Sequence, residues 1–502
     1  MKIKLISVQI FILLSHHFLM AQQPFSKVYD LENDGLIIGQ EVHFYDNFLY
    51  MVCGKICQNP ARQCGDILKL DLEGNIIWRT EIGAFDIGNT NALSISNDTI
   101  TLTGHRNSMD QPFGFFMQQL TINGDSIRNF TFPIDTSKVS TTFNFGTLSI
   151  DEAFYLYGAG RAMDGSVDAI IMQVNKKGEV ENTVYWDDGY KEMQPADLQL
   201  RTDGSLVLMC EIVDFDNSDT WRSLIEIDEN LNRSYLWSSP IAYNLGVLNN
   251  LSTLDENKLA LIAPNTIAGL SSEAPFIHFI DGGNSDYARY EFSFEVGVDR
   301  RRFTTNIITA NNGDLIGIGH YRSQVDLETA LIYRVSDEGE LLWETTYRAE
   351  DWLTGGQLVN ELNDIVQLDD GSFVAVGWQE ETTDNQSLRD VWLIKVGPDG
   401  CLFEEDCDFG QFTTSTKNNT IEGEQSDILF YPNPNMGRLY FSNELKPNSS
   451  LELYSSSGEK LIYFTSVNPN TSISINGLYS GMYLLKFISP DNNHQFRKMI
   501  LR

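Results

Sequence analysis

The stretch ALIYRVSDEGELLWETTY, Ala330 to Tyr347, reads as a strand, a tight turn at Gly339 and a second strand carrying a tryptophan. Related stretches are GDILKLDLEGNIIWRTEI from Gly65, DAIIMQVNKKGEVENTVYW from Asp168 and DVWLIKVGPDGCLFEEDC from Asp390. Aligned on the turn, the chain holds seven copies, at Gly74, Gly124, Gly178, Asn230, Gly283, Gly339 and Gly400, about 54 residues apart. A fixed period of this length marks a repeat architecture.

A second hairpin precedes the first in each copy. It is clearest in NIITANNGDLIGIGHYRS (Asn306 to Ser323), DIVQLDDGSFVAVGWQEE (Asp364 to Glu381) and DLQLRTDGSLVLMCEIV (Asp197 to Val213). Turn signals such as NNGD between apolar runs predict antiparallel strands, so each unit is a four-stranded sheet. Small sheets stacked radially bury both faces and leave only short edges. The expected fold is all-β: a seven-bladed β-propeller over residues 22–407. Trp78, Trp186, Trp237 and Trp343 recur in the fourth strand, with Phe403 in a comparable place in the last copy. Aromatics set by repetition read as packing between blades. Pro24 to Asp34 looks like a fourth strand without its first three. Phe25 to Tyr29 is therefore expected to pair with the blade that contains Val391 to Val396 and close the ring.

The 502-residue chain carries 69 acidic against 35 basic residues, a formal charge of -34. Nucleic-acid binding needs clustered Lys and Arg, and no cluster is present. Such an excess reads as a solvated, self-repelling surface. At the start, MKIKLISVQIFILLSHHFLMAQQ has Lys2 and Lys4, an apolar run and then Ala21. This is the order of a signal peptide over residues 1–21. The run is too short for a spanning helix, and no later segment is long and apolar enough for one. Export makes disulfides possible, and Cys57 with Cys64, and Cys401 with Cys407, flank short loops. Cys53 and Cys210, in matching apolar strands, read as buried thiols.

The turn-and-tryptophan pattern resembles the repeats of quinoprotein-like propellers and of bacterial surface proteins. No quinone-binding constellation accompanies it, so no cofactor is carried over. His105 and His320 occupy one repeat position, where another copy has Trp378, and read as structural. No nucleophile elbow, HExxH helix or Walker loop is present. Asp214, Asp216 and Asp219, and Asp164 with Asp168, lack full calcium-loop spacing and read as solvated loops, so no metal site is expected. A carboxylate pair meeting across the channel remains open, but with 69 acids no catalytic residue can be named.

Residues 408–426 form a polar linker, and seven short strands follow in residues 427–502, a pattern suited to a small immunoglobulin-like β-sandwich. This tail resembles the type A C-terminal sorting domain of the bacterial type IX secretion system. The matching residues are Tyr431, Pro432, Asn433, Pro434 and Gly437 in YPNPNMG, Gly458 in LYSSSGEKL, Gly477, Leu478, Gly481 and Tyr483 in INGLYSGMYLLKF, and the basic end KMILR. Pro432 and Pro434 would hold an extended entry, Gly437 permit a turn, and Gly481 close a hairpin. The resemblance implies Sec export, passage of the outer membrane by the type IX machinery, removal of the tail, and release or surface attachment in a bacterium of the Bacteroidetes type. The expected function is a non-catalytic scaffold for a glycan, peptide or protein. The alternatives are a secreted polysaccharide hydrolase or lyase and a purely structural surface-layer component. Binding is expected on the connections between second and third strands, including GKICQNPARQCGD, GRAMDGSVD, VDFDNSDTWR and QEETTDNQSLRD, with Arg62, Arg161, Arg222 and Arg389.

Overall fold

In the computed structural model the described residues are 23–31, 37–58, 61–82, 86–87, 91–106, 114–150, 153–186, 191–201, 203–214, 219–239, 251–254, 258–265, 274–281, 285–291, 300–323, 329–349, 357–383, 386–402, 430–431, 438–441, 447, 449–455, 460–468, 471–475, 481–490 and 494–501. Every regular element among them is a strand. The chain divides into two compact units, Met1–Phe412 and Thr413–Arg502.

The first unit contains seven antiparallel sheets. Blade 1 runs Ile37–Tyr45, Phe48–Gln58, Ala61–Leu70 and Ile76–Ile82 in spatial as well as chain order. Blades 3 to 6 repeat this order, beginning at Val139–Ser149, Lys191–Leu200, Leu251–Thr253 and Arg300–Thr309. In blade 2 the first strand is split into Asp86–Ile87 and Leu93–Ser96, both paired to Thr99–Arg106. Blade 7 takes three strands from Gln357–Val396 and its fourth from Phe25–Tyr29, with Phe25 opposite Lys395 and Tyr29 opposite Val391. First strands of successive blades touch, and the first strand of blade 7 touches that of blade 1, so the sheets form a closed ring around a channel. The expected seven blades and their closing strand are both present.

Glycine and aromatic side chains recur together because they meet across blades. The turn between third and fourth strands places Gly74, Gly124, Gly178 and Gly400 at φ of 76 to 86°, a region costly for any Cβ. There each glycine lies against the fourth strand of the preceding blade. A Cβ on Gly124 would stand 3.2 Å from Trp78, on Gly178 2.0 Å from Phe130, and on Gly400 2.6 Å from Trp343. Gly74 meets Phe25 and Tyr29 in the same way.

Two details of the sequence alignment need correction. In blade 4 the left-handed residue is Leu231 (φ 60°), not Asn230, because Leu231 donates to Asp228 as Gly74 donates to Asp71. Burial of Leu231 against the cluster of blades 3 and 4 holds it in this conformation. The tryptophans share a strand but not a register: Trp78 and Trp343 stand near the turn, whereas Trp186 ends its strand and Trp237 pairs with Leu224. Phe403 and Gly283 lie outside the described residues.

The second unit has sheets of three and four strands, seven in all among the described residues. Leu439, Phe441, Leu451, Leu453, Val467, Ile475, Leu485 and Phe487 form its core. Tyr431 lies in the first short strand, and Gly481 and Tyr483 lie in Gly481–Ile488. Gly481 does not close a hairpin: the strand before it, Ser472–Ser474, belongs to the other sheet, so the chain crosses between sheets here. Pro432, Asn433, Pro434, Gly437, Gly458, Gly477 and Leu478 lie outside the described residues.

Candidate functional site

Five of the first strands carry a β-bulge at an equivalent place, between Gly39 and Glu41, Asn144 and Gly146, Pro195 and Asp197, Thr304 and Asn306, and Leu362 and Asp364. A bulge re-aims the side chain that follows it. In four of the five that side chain is polar: Glu41, Asp197, Asn306 and Asp364. The second strand must be small where it faces the bulge, and Cys53, Gly158, Cys210, Gly319 and Gly377 fill this place. A Cβ on Gly319 would lie 1.8 Å from the Phe303 carbonyl, and one on Gly377 1.9 Å from that of Glu361. Cys53 and Cys210 are thus buried cysteines in no disulfide, at a small-residue position.

The re-aimed side chains line a cavity of about 360 Å³ in the channel, together with His43, Asn91, Gln199, Ser252 and Thr309. Each carboxylate is held by a neighbouring blade. Asp364 accepts from the Val42 amide at 2.7 Å and the Asn306 side-chain amide at 2.6 Å. Glu41 accepts from the amides of Ala92 (2.7 Å) and Leu93 (3.0 Å), while its other oxygen meets His43 Nε2 at 2.9 Å. Asp197 accepts from Leu251 N (2.9 Å), Asn91 Nδ2 (2.7 Å) and Gln199 Nε2 (3.2 Å). The acids therefore satisfy backbone donors on the open inner edges of the sheets, which would otherwise be unpaired.

Burial controls the protonation of these groups. It pushes the Asp197 carboxyl up to about 6, against the pull of its donors. At Asp364, burial and then the charge of Glu41 push the carboxyl above the usual range, opposed by the Val42 amide and by His43. Burial alone would lower His43, but its bond to Glu41 and the charges of Glu41 and Asp364 outweigh this and raise it.

The residues singled out from sequence are scattered. His105 stacks edge-on against Phe143 at 5.8 Å, and burial lowers its imidazole to about 4. His320 stacks on Phe303 at 4.6 Å, and Trp378 lies under the Arg389 guanidinium at 4.2 Å. Asp164 caps its own turn through Ser166, and Asp214 pairs with Asp219 across a hairpin. Asp216 lies outside the described residues. Among the described residues no group of three or more His, Cys, Asp or Glu is arranged to hold a metal ion.

The long connections also depart from expectation. GKICQNPARQCGD and QEETTDNQSLRD are largely paired ribbon, with Gln58 opposite Ala61 and Thr383 opposite Gln386. Arg222 is no loop residue: it is buried on Asp219–Ile227, donating to the Ile262 carbonyl and lying 3.8 Å from Glu211. Arg161 is exposed and bonds the Gly165 carbonyl, and the side chain of Arg62 lies outside the described residues. Cys57 pairs with Arg62 and Cys64 with Lys55 along the backbone, their side chains being outside the description. Cys401 is disulfide-bonded, and Cys407 lies outside the described residues.

Residues 429–502 match the family described as the secretion system C-terminal sorting domain. The tail is thus a type IX sorting domain, which marks the chain for secretion through that machinery. No helix among the described residues is long and apolar enough to cross a membrane. Solved structures similar to the chain include the β-propeller domain of the Trilobed protease from Pyrococcus furiosus (11% identity, 72% of this chain and 93% of that one, TM-score 0.41). Others are the WD40 domain of SCAP from fission yeast (10%, 76% and 99%, 0.34) and the α-L-arabinanase of Penicillium chrysogenum (10%, 75% and 98%, 0.36). All three TM-scores are below 0.5, too low to bear on function. No curated protein matches the chain.

Proposed function

We propose that the protein is a secreted or surface-held, non-catalytic binding scaffold for a glycan, peptide or protein. The observation that carries this reading is the commitment of the channel acids. Glu41, Asp197 and Asp364 each accept bonds from neighbouring blades, a task that holds the ring rather than activating a water or a leaving group. The connections of second to third strands differ in length between blades, from two residues (59–60) to eight (266–273), and scaffolds of this kind carry function in such connections. Met163, 72% exposed on one of these turns, is the kind of side chain such a face offers. The test is a glycan array and secretome pull-down with the purified mature protein, assayed in parallel for polymer cleavage. Ligand retention without turnover is expected. Hydrolysis abolished by Asp197→Asn or Asp364→Asn would establish the enzyme instead.

The address follows the same reading. Residues 1–21 are removed as a signal peptide, residues 22–407 travel as the passenger, residues 408–426 act as a linker, and residues 427–502 are cleaved after outer-membrane passage. Mass spectrometry of the native extracellular form is expected to find no peptide beyond about Asp427, by analogy with a removable extension. Full-length protein ending at Arg502 would reject this processing.

A further inference from the structure

Glu41, His43 and Asp364 meet at the inner seam between blade 7 and blade 1. This seam joins segments more than 300 residues apart in sequence, so its bonds carry the largest loop-closure cost in the ring. On the inside, Asp364 accepts from Val42 N at 2.7 Å and Asn363 Nδ2 donates to the Gly39 carbonyl at 2.7 Å. On the outside, Trp392 Nε1 donates to Ser26 Oγ at 2.9 Å and Tyr29 donates to the Gly74 carbonyl at 2.6 Å. We propose that Glu41, His43 and Asp364 form a proton-linked latch on this seam, tightest in acid and progressively loosened as pH rises toward and past neutrality.

Two carboxylates and one imidazole share the wall of one cavity, Glu41 buried and His43 and Asp364 half-buried. With both acids ionised and the imidazole neutral, the like charges repel without compensation. A proton on either Asp364 or His43 relieves this, so the closed seam retains a proton that the opened seam releases. The neighbours of Asp364 support this assignment. Glu41 and His43 are the charged groups reaching it from the first strand of blade 1. The first strand of blade 6 offers the neutral Asn306 amide, and the second strand of blade 7 sets Val376 opposite. Blade 6 otherwise meets this strand through Ile316, Ile318 and Ile332. Across the cavity, Asp197 is held by donors of its own.

The sign follows from linkage. Opened, the carboxyl titrates near its ordinary value of about 3.9 and the imidazole near about 6.5. Closed, both are raised. The stabilisation is complete below the opened-state values and is lost as pH climbs through the raised ones.

Hydrogen exchange read by mass spectrometry on the full chain tests the latch between pH 5 and pH 8. Peptides covering residues 25–29 and 37–45 are compared with residues 153–175 of blade 3, where Gly146 stands in place of the acid. After correction for intrinsic exchange, the seam peptides are expected to lose at least about tenfold more protection than blade 3, since one linked proton shifts an opening equilibrium tenfold per pH unit. Asp364→Asn is expected to abolish the difference. Parallel loss in both regions, or an undiminished response in Asp364→Asn, would overturn the proposal. If that variant does not fold, Glu41→Gln decides: the fall should move to lower pH by about a unit or more, and an unmoved fall rejects the latch.

Discussion

The inner and outer edges of the same blades face one problem, unpaired backbone donors and acceptors, and meet it with different chemistry. At the outer edge the solution is steric. Six fourth strands carry a bulge, for example between Ile76 and Trp78 and between Leu341 and Trp343, which twists the edge out of shape for further pairing. Aromatic side chains then pack on glycine turns of the next blade. At the inner edge the solution is electrostatic, a set of buried carboxylates accepting from the amides of adjacent blades. The outer arrangement works through local geometry, whereas the inner one depends on protons.

Removing the strand that closes the ring has the largest expected effect. Deletion of Phe25–Tyr29 leaves the outer edge of the third strand of blade 7 unpaired and uncovers Trp392, which is fully buried. The loss should approach the whole stability of an ordinary domain, about 5–15 kcal/mol. Thermal melting and limited proteolysis of the full-length variant report it. A melting temperature within a few degrees of wild type would show that the ring does not rely on this closure.

Next in size is the inner edge. Asp197→Ala strands the Leu251 amide and the Asn91 side chain, at about 3 kcal/mol for buried groups left unsatisfied. Asp197→Asn keeps the shape and removes the titration. Because the folded carboxyl titrates at about 6, above its ordinary value, wild type gives up this group's stabilisation as pH rises from about 4 through 6. Urea denaturation across that window should show a shallower pH slope in Asp197→Asn than in wild type. Equal slopes would mean that Asp197 does not titrate there.

A matched pair of glycines tests the outer edge, Gly178 in one of its turns and Gly313 in the turn between the first and second strands of blade 6. Gly178 and Gly313 have nearly the same φ, 86° and 89°, but a Cβ on Gly178 strikes Phe130 at 2.0 Å whereas one on Gly313 meets nothing within 4 Å. Gly313→Ala should cost only the backbone penalty, ~1 kcal/mol, and Gly178→Ala that penalty plus displacement of Phe130, ~2–3 kcal/mol in total. Equal losses would show that the turn does not pack on the neighbouring blade.

These two edges differ in how plainly they are written in the sequence. The outer one was legible because its determinants are rare residues at a recurring period: a turn glycine and an aromatic three to eight positions later. Even there, Leu231 was missed, since a buried leucine in a left-handed turn leaves no compositional mark. The inner ring was not legible. Glu41, Asp197 and Asp364 are three among 69 acids, and the bulge that aims them inserts one residue without a distinctive side chain. A sharper signal was available in Cys53, Cys210, Gly319 and Gly377, whose common smallness marks the strand opposite each bulge. Arg222 was misplaced because a polar run reads as loop, while the ribbon it belongs to carries it into the interior.

The smallest expected effect concerns the bulges of the outer edge. Ile77 is the residue left unpaired by the bulge of blade 1, between the pairs Trp78 with Lys69 and Ile76 with Leu70, and it is 49% exposed. An extra residue in a bulge donates no ladder hydrogen bond that a substitution could break. Its side chain is half in solvent, so exchanging it for a long cation with an apolar stem leaves most of the packing in place. Ile77→Lys should therefore change stability by less than ~0.5 kcal/mol, the range of surface substitutions away from special features. Edge lysines also oppose strand addition between molecules, so the variant should be no more prone to self-association than wild type. Urea denaturation and light scattering on the same samples separate the two statements. A loss above ~1 kcal/mol would mean that Ile77 is part of the packing between blades, and that the outer edge, like the inner, is secured by contacts rather than by shape.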